Sequence, residues 1–325
     1  MRLANCAGDI IVLKCTRRHK CTLYSCHSHT PVGRPLDTTE NLINFYNMDS
    51  LIEIDKSEWP ELRDLYKQDW PKNAVAFCIL DTKISYPDLA ETFNFKVYCP
   101  DGDIHNGMIA TSGNDEYYKL RVHPLNGVNK IEEALATTKV IDWNKNVNVA
   151  SASPEVEECF RRLAIRLGLE VKGEIAFKHL LDRNSEHLVY KSIPHDTYID
   201  ICKHKDLNIV DRTWTYHGKN TYKFFEALAR NHLLFVLYSN DNNPLAWVAI
   251  DDDGALTHLY CLEEHRRKGY AEYITRYVVN NQLKKGKYIL AYTLENNLKP
   301  KNLFDKLNFK KVEYDQWLCV YKILN

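Results

Sequence analysis

The sequence predicts an α/β (α+β) fold of two units, each with a mixed central sheet flanked by helices. Short apolar strands alternate with amphipathic helical segments from residue 48 onward, an order typical of sheets covered by helices. The chain has 325 residues, of which 45% are hydrophobic, and so exceeds the size of one ordinary domain. Corresponding elements also recur in its two halves, which predicts an internal duplication.

The first unit is predicted to occupy residues 48–190. An alternating segment at 49–54 is followed by a helix that begins after the capping residue Ser57. Gly168 can adopt the left-handed conformation at a helix end and is expected to turn the chain into a further strand. Apolar runs predict strands at 74–80, 95–98, 117–122 and 147–150, and amphipathic runs predict helices at 130–138 and 154–167.

The second unit is predicted to occupy residues 191–325. Asn308 follows its last helix as Gly168 follows the corresponding helix of the first unit, and asparagine tolerates the same left-handed conformation. Helices are expected at 222–229, 269–284 and 300–307, and strands at 233–238, 245–251, 255–262, 288–293 and 317–322.

Residues 1–47 show no sustained hydrophobic period and are predicted to form a poorly ordered extension. Cysteine and histidine are concentrated here, at Cys6, Cys15, Cys21, Cys26, His19, His27 and His29. Because no Cys-x-x-Cys pair is present, zinc binding is only the alternative, and we expect no metal. The other six cysteines are predicted to be buried free thiols: Cys78, Cys99, Cys159, Cys202, Cys261 and Cys319.

The charge of the chain is balanced. Lys plus Arg and Asp plus Glu both number 43, so no global charge steers the protein towards nucleic acid or an anionic membrane. No apolar run reaches the length that a bilayer requires, and the first residues make a poor secretory signal. We therefore expect a soluble protein without a membrane span or a nucleic-acid partner, in the cytoplasm in preference to the mitochondrion. The oligomeric state stays open.

The strongest functional signal lies where a predicted strand enters a loop of three cations and a glycine, Arg266 to Gly269. This loop opens the predicted helix at 269–284. The first turn of a helix presents unpaired N–H groups and the positive end of its dipole, so it can cradle a pyrophosphate. Gly269 permits close approach of a ligand, small Ala271 leaves space, and the cations can add charge-assisted hydrogen bonds.

This loop resembles the Arg-x-x-Gly-x-Ala signature of GNAT acyltransferases. Downstream, Asn297 with Leu303-Phe304 and Asn308-Phe309 looks like the second acyl-CoA motif of that family. The stretches 244–247, 254–266 and 316–319 are similar to those of glycine N-acyltransferases. The resemblance is good over about 230–325 and weaker over 48–189, where the corresponding loop at 124–129 lacks the arginine and is not expected to bind coenzyme A.

The resemblance implies that acyl-CoA or acetyl-CoA is the co-substrate, held without a metal. Pantetheine would lie along Leu259 to Leu262 and use main-chain groups of Tyr260, Cys261 and Leu262. Pyrophosphate would lie on the loop and the first helical turn. The expected coenzyme-binding residues are Leu259, Tyr260, Cys261, Leu262, Arg266, Arg267, Lys268, Gly269, Tyr270, Ala271, Asn297 and Phe304.

Two positions depart from the family in ways that concern catalysis. Ala255 stands where glycine N-acyltransferases carry a glutamate base, and Phe304 stands where many GNAT enzymes have a tyrosine acid. Neither side chain can move a proton. His258, whose ordinary pKa is near neutrality, is the first candidate for a replacement base and Asp253 is the second. A purely structural histidine is the alternative.

The sequence thus predicts an enzyme that moves an acetyl or longer acyl group from acyl-CoA to a small amine or amino acid, such as glycine, by direct attack. The polar aromatic loop at 214–220 is where the family's acceptor site would lie. Three alternatives stay open: a catalytically weak acyl-CoA-binding protein, a protein N-terminal acetyltransferase, and a solvated basic turn that binds no coenzyme A.

Overall fold

The computed structural model describes residues 12–16, 20–24, 49–113, 118–190, 194–295 and 297–323. Residues Met1–Met48 form a unit by themselves, in which β1 (Val12–Thr16) and β2 (Lys20–Tyr24) make an antiparallel hairpin. The side chains of the cysteines and histidines of the zinc alternative, which belong to this unit, lie outside what is described.

The first half of the main unit contains six strands and five helices within the described residues. The strands are β3 (Leu51–Glu53), β4 (Lys96–Pro100), β5 (Gly107–Gly113), β6 (Tyr118–Pro124), β7 (Val147–Ala152) and β8 (Leu169–Leu181). The helices are α1 (Trp59–Leu65), α2 (Ala74–Ser85), α3 (Pro87–Thr92), α4 (Asn129–Thr137) and α5 (Pro154–Leu167). Strand β5 and helix α3 were not anticipated from the sequence.

The second half contains six strands and four helices within the described residues. The strands are β9 (Thr197–Ile201), β10 (Leu234–Ser239), β11 (Pro244–Ile250), β12 (Ala255–Cys261), β13 (Ile289–Leu294) and β14 (Lys310–Lys322). The helices are α6 (Leu207–Arg212), α7 (Thr221–Arg230), α8 (Tyr270–Lys284) and α9 (Leu298–Lys306). The predicted strands and helices from residue 222 onward are confirmed, with shifts at their ends.

The predicted strand at 74–80 is wrong, because these residues form the first turns of helix α2. All seven are buried. A helix that is apolar on every side shows neither the period of an amphipathic helix nor that of a half-exposed strand, so a short apolar run does not distinguish the two.

Two of the six cysteines predicted to be buried are not: Cys261 is half-buried, and Cys319 is exposed. Cys319 lies on β14 between buried Leu318 and Val320, and successive side chains of a strand point to opposite faces.

The two halves share one sheet by exchanging their last strands. The order of its twelve strands is β3-β4-β5-β6-β7-β14-β8-β13-β12-β11-β10-β9. Strand β14 closes the second half in sequence but pairs with β7 of the first, and β8 pairs with β13 of the second. The central pair β8–β14 is antiparallel from Leu169↔Lys322 to Leu180↔Lys310. Neither half-sheet is complete without a strand of the other.

The halves repeat each other in detail, as the predicted duplication requires. In each, a parallel pair of strands is joined over two residue pairs: β6 with β7, and β12 with β13. The helices before β8 and β14 are both followed by left-handed residues, Gly168 with φ 66° and Asn308 with φ 62°. This last feature was predicted from residue type and is confirmed.

A buried cluster of charges fixes the turn between β11 and β12 against the first half. Lys83 Nζ lies 2.7 Å from Asp252 Oδ2, and Arg121 Nη2 lies 2.8 Å from the same oxygen. Arg121 Nε also donates to Asp253 Oδ1 over 2.7 Å. At the same turn, a side chain on Gly254 would lie only 2.6 Å from the Thr82 hydroxyl.

Both aspartates of this cluster stay ionised. Burial by itself would raise the pKa of Asp252, but the charges of Lys119, Lys83 and Arg121 outweigh it and hold the pKa far below its usual range. The pKa of Asp253 is lowered as well. Since both folded-state values lie below the ordinary 3.8, the resulting stabilisation is present above that pH and is lost as the pH falls through the folded-state values.

Replacing Arg121 with methionine should destabilise the protein strongly, because two carboxylates lose their shared partner inside the fold. We expect the free energy of unfolding, measured by urea titration, to fall by about 3–5 kcal/mol. The control is Arg166→Met, which removes an exposed arginine paired with exposed Glu133 and should cost ~1 kcal/mol or less. Small and equal losses in both variants would contradict the role given to the cluster.

Candidate active site

A gap opens in the sheet between the parallel strands β12 and β13. They pair at their starts, where Ala255 lies beside Leu290 and Leu256 beside Ala291. Further along, β12 stays paired with β11 on its other side and β13 with β8. A slot of this kind exposes main-chain groups of β12 to a ligand in the middle of a sheet.

The main-chain groups of β12 are divided between the sheet and the gap. The N–H of Leu262 donates to Leu245 O of β11 over 3.0 Å, so it is already used. Because alternate residues of an antiparallel strand direct their N–H groups to opposite sides, the N–H of Tyr260 also points to β11. Those of Leu259 and Cys261 face the gap. The Leu262 N–H, expected to contact the coenzyme, is therefore used by the sheet, and coenzyme contact with the main chain of Leu259 and Cys261 stays a prediction.

The loop after β12 shapes an open helix N-terminus. Arg267 and Gly269 have φ values of 64° and 81°, and the first hydrogen bond of α8 runs from Tyr273 N to Gly269 O over 3.0 Å. The preceding N–H groups therefore have no partner inside the helix. A Cβ built on Gly269 would meet no atom within 4 Å, so this side of the turn is open to a ligand. Backbone geometry and open space together make an anion cradle.

The three cations of the loop do different things. Arg266 Nε donates to Cys261 O over 3.1 Å, its Nη1 lies 2.9 Å from Glu263 Oε1, and its guanidinium covers the Tyr260 ring. This side chain therefore ties the loop to the end of β12. Arg267 and Lys268 are exposed and lie next to the cradle, where they can reach phosphate oxygens.

Glu272, an acid in the first turn of α8, is paired. It accepts from Arg276 Nη2 over 2.8 Å and forms an ion pair with Lys306 of α9. Burial acts to raise its pKa, but the hydrogen bonds from Lys306 and Arg276 lower it overall. The paired carboxylate opposes an incoming anion less than a free one would, and it joins α8 to α9.

The two residues of the predicted second motif lie in different surroundings. Asn297 is exposed at the start of α9, with its N–H donating to Leu294 O over 3.0 Å. Phe304 is buried, and its ring centroid lies 5.5 Å from that of His179 and 5.2 Å from that of Phe309. Contact of Phe304 with a coenzyme stays a prediction, and the packing shows it as part of the core.

His258 lies at a bulge of β12. Its φ is 49°, and the pairing of β11 with β12 shifts register between Trp247 and Ala249. Nε2 of His258 is 2.7 Å from Val210 O and 3.1 Å from Trp247 Nε1. Since a carbonyl oxygen only accepts, the shorter contact requires a proton on Nε2. Burial lowers the pKa of His258 to about 4, so the ring is neutral at pH 7 and is a weak base.

Asp253, the second predicted base, belongs to the buried charge cluster. Its carboxylate accepts from Arg121, and Lys119 forms a further ion pair with it. Burial raises its pKa, but the charge of Arg121 first, and that of Lys119, lower it overall. A carboxylate held by two cations is a poor proton acceptor near neutral pH.

The predicted acceptor loop packs beside this strand. Trp214 stacks on Phe224 with ring centroids 5.6 Å apart and lies 6.3 Å from His258. Tyr216 is 59% exposed. His217 Nδ1 lies 3.2 Å from Asp211 Oδ2. An aromatic wall thus borders the same face of β12 that carries His258.

Sequence reasoning missed a cavity at the end of the gap where β12 and β13 are still paired. Its volume is about 40 Å³, enough for a few water molecules or one amino group. It is lined by Val75, Lys119, Ala150, Ser151, Asp251, Asp253, Ala255, Leu290, Tyr292 and Trp317. The acidic turn was visible in the sequence, but strands of the first half supply Lys119, Ala150 and Ser151 and could not be placed there in advance.

In the described part of the chain, no three His, Cys, Asp or Glu side chains converge in a way that could hold a metal. No helix of that part is long and apolar enough to cross a membrane.

Comparison with known proteins places the second half in a family. A family model described as FR47-like protein matches residues 236–318. The matched residues 236–318 form a GNAT-type domain. It is 20% identical over 207 residues to glycine N-acyltransferase of Bos taurus, covering 58% of this chain and 70% of that protein. It is 21% identical over 213 residues to human glycine N-acyltransferase-like protein 2, covering 59% and 71%.

Solved structures share the fold of this chain. A Drosophila protein superposes with a TM-score of 0.73 at 17% identity, over 84% of this chain and 98% of that one. A tandem GNAT protein from the clavulanic acid biosynthesis pathway superposes with a TM-score of 0.50 at 11% identity, over 83% and 97%. The predicted mixed fold of two GNAT-like units is confirmed.

The cradle can be tested with two glycines of equal geometry. Gly269→Glu puts bulk and negative charge into the open space and should raise the Kd for CoA at least tenfold, or about 1.4 kcal/mol, in calorimetric titration. Gly127, in the corresponding loop of the first half, has φ 80° and equally open surroundings. Gly127→Glu carries the same backbone strain and should leave the Kd unchanged. Equal weakening by both variants would mean that strain, not the cradle, governs binding.

Proposed function

We propose that this protein is an acyl-CoA-dependent N-acyltransferase whose acceptor is a small primary amine or an amino acid such as glycine. The observation that carries the proposal is the open N-terminus of α8, reached through Gly269, directly beside the gap between β12 and β13. An anion site and a slot for an extended chain thus adjoin each other. Acyl-CoA has the matching parts, a pyrophosphate and a long pantetheine arm that ends in the thioester.

The coenzyme would be bound mainly by main-chain groups. Pyrophosphate would lie on the first N–H groups of α8, with Arg267 and Lys268 at its side. Pantetheine would run along β12, where the N–H groups of Leu259 and Cys261 face the gap. Arg266 would act indirectly, because its hydrogen bond to Cys261 O fixes the loop against the strand. Asn297, exposed at the start of α9, would border the other side of the coenzyme.

Such a site promotes acyl transfer by positioning and electrostatics. The amine nitrogen attacks the thioester carbonyl carbon, a C–N bond forms, and the C–S bond breaks as CoA leaves as a thiolate. N–H groups aimed at the carbonyl oxygen stabilise the negative charge that develops there. Holding the two reactants in contact supplies a further large part of the acceleration.

The second candidate function is an acyl-CoA-binding protein with weak catalysis. Ala255 and Phe304 carry no titratable group, His258 bonds the carbonyl of Val210, and Asp253 is ion-paired. These four observations favour loss of chemistry with retention of the coenzyme site. Both candidates predict CoA binding, so binding cannot separate them, whereas turnover with an amine can.

Turnover decides between the two candidates. We expect the purified protein to bind CoA and acetyl-CoA in calorimetry and to release free thiol from acetyl-CoA when glycine or other small primary amines are added. A short peptide with a free N-terminus serves as the comparison acceptor. Release with the peptide alone would assign a protein N-terminal acetyltransferase, binding without release would assign the carrier, and absence of binding would overturn both.

The role of His258 can be tested separately. His258→Gln should lower the free energy of unfolding by ~1–3 kcal/mol, because the Val210 carbonyl loses a buried hydrogen-bond donor. The pH at which the rate of thiol release is half-maximal should not move, since a ring whose pKa is about 4 is not the group that titrates near neutrality. A shift of that midpoint in the folded variant would restore His258 as the base.

A further inference from the structure

We propose that Asp251 is the proton acceptor for the attacking amine, and that the cavity it lines receives the amino group of the acceptor. The proposal rests on the N-acyltransferase function and deepens it, because it names the group that makes the amine nucleophilic. It starts from the cavity at the paired end of the gap, whose wall includes Ala255 on β12 and Tyr292 on β13.

The carboxylate of Asp251 is held by one of its two oxygens. Oδ1 accepts from the N–H of Asp253 over 3.0 Å and from that of Ala255 over 2.8 Å. The main chain is fixed as well, since Asp251 N donates to Ala255 O over 2.8 Å and Gly254 N donates to Asp251 O over 3.1 Å. Oδ2 takes no part in these bonds, and the residue lines the cavity. A fixed carboxylate with one unused oxygen is well placed to accept a proton.

The charges around the turn single out Asp251 among three neighbouring acids. The described ion pairs from Lys83, Lys119 and Arg121 go to Asp252 and Asp253. Burial first, and then the charge of Asp253, raise the pKa of Asp251 to about 7, although Lys119 acts to lower it. A base is most effective when its pKa lies near the operating pH.

The remaining walls suit a short aliphatic ammonium group. Tyr292 packs edge-on against Trp317 with ring centroids 4.7 Å apart, and aromatic rings attract cations. The Tyr292 hydroxyl is occupied as a donor to Asp315 Oδ2, over 3.0 Å, and Lys178 is paired with the same carboxylate. Trp317 is 36% exposed, so this part of the cavity wall lies near the surface.

One wall residue has an unusual backbone. Ser151 of β7 lies in the cavity wall with φ 52°. This conformation is uncommon for a residue other than glycine. Residues held in such strained backbone conformations cluster at functional sites. The first half therefore contributes a shaped wall to a site whose coenzyme cradle belongs to the second half.

The proton and electron balance of the step is complete. The acceptor enters as R–NH₃⁺ and gives one proton to Asp251 Oδ2, which leaves a lone pair on nitrogen. That pair forms the C–N bond to the thioester carbonyl, and the C–S pair leaves with sulfur. The second proton lost by nitrogen goes to the thiolate, and Asp251 returns its proton to solvent. The products are the amide, CoA thiol and one proton.

The test compares Asp251→Asn with the native chain, using acetyl-CoA and glycine or whichever primary amine of the screen is turned over. An asparagine oxygen can still accept both backbone N–H groups, so the variant should fold. We expect an unchanged Kd for acetyl-CoA, a fall in kcat/KM of about 100-fold or more, and loss of the inflection near pH 7 in the pH–rate profile. Asp241→Asn, which removes an exposed carboxylate from the turn between β10 and β11, should change none of these.

A second variant reports on the titration itself. The positive charge of Lys119 acts to lower the pKa of Asp251, so Lys119→Gln should move the acidic limb of the pH–rate profile to higher pH. A merely structural role for Asp251 would not move this limb. If Asp251→Asn proves unfolded by circular dichroism, the direction of this shift decides the question.

The failures of the two proposals are distinguishable. Native kcat/KM with an unchanged pH profile in Asp251→Asn would overturn the role of Asp251 and leave the acyltransferase standing. Binding of acetyl-CoA by the native chain without release to any amine would overturn both the transfer and the base, and leave the carrier. No binding at all would overturn the coenzyme site with them.

Discussion

The structure depends on the buried charge cluster at the turn between β11 and β12. Lys83 and Asp252 are 169 residues apart in the sequence, and their contact binds the second half of the chain to helix α2 of the first. Two ions taken out of water cost several kcal/mol each unless their partners are well placed. Arg121 contacts both aspartates. The free-energy cost of burying these charges is offset only when the two halves are arranged so that the partners meet. The cluster therefore fixes the start of β12, and with it the gap and the cavity.

Three successive aspartates show how surroundings assign roles to identical side chains. Asp252 and Asp253 are surrounded by cations, and their pKa values are lowered. Burial, and then the negative charges of Asp253 and Asp252 beside it, raise the pKa of Asp251. The cations are paired with two of the three acids, and the third is the one that we propose as the proton acceptor. Structural stability and proposed chemistry come from the same cluster.

The duplication gives the two halves different tasks. In both, a pair of parallel strands is joined over two residue pairs. Both also have a glycine with open space around it near the start of a helix, Gly127 and Gly269. The second half adds the cations Arg266 to Lys268, and the proposed pyrophosphate site lies there. The first half supplies Lys83, Arg121 and one wall of the cavity. Because β8 and β14 are exchanged, neither half-sheet is complete without a strand of the other, and the two halves cannot act separately.

The sequence by itself determined the local features of this protein. The cradle of six residues, the left-handed Gly168 and Asn308, and most elements after residue 222 depend on contacts within a few positions, which residue type and spacing encode. The tertiary structure decided what depends on distant partners. It made residues 74–80 a helix and exchanged the last strands of the two halves. It also set the hydrogen bond from the Leu262 N–H to β11 and the hydrogen bond from Arg266 to Cys261 O. It also gave Asp251 and Asp253 different pKa values, because the pKa of a carboxyl group depends on which charges folding brings beside it. The cations of this cluster come from residues more than 100 positions away.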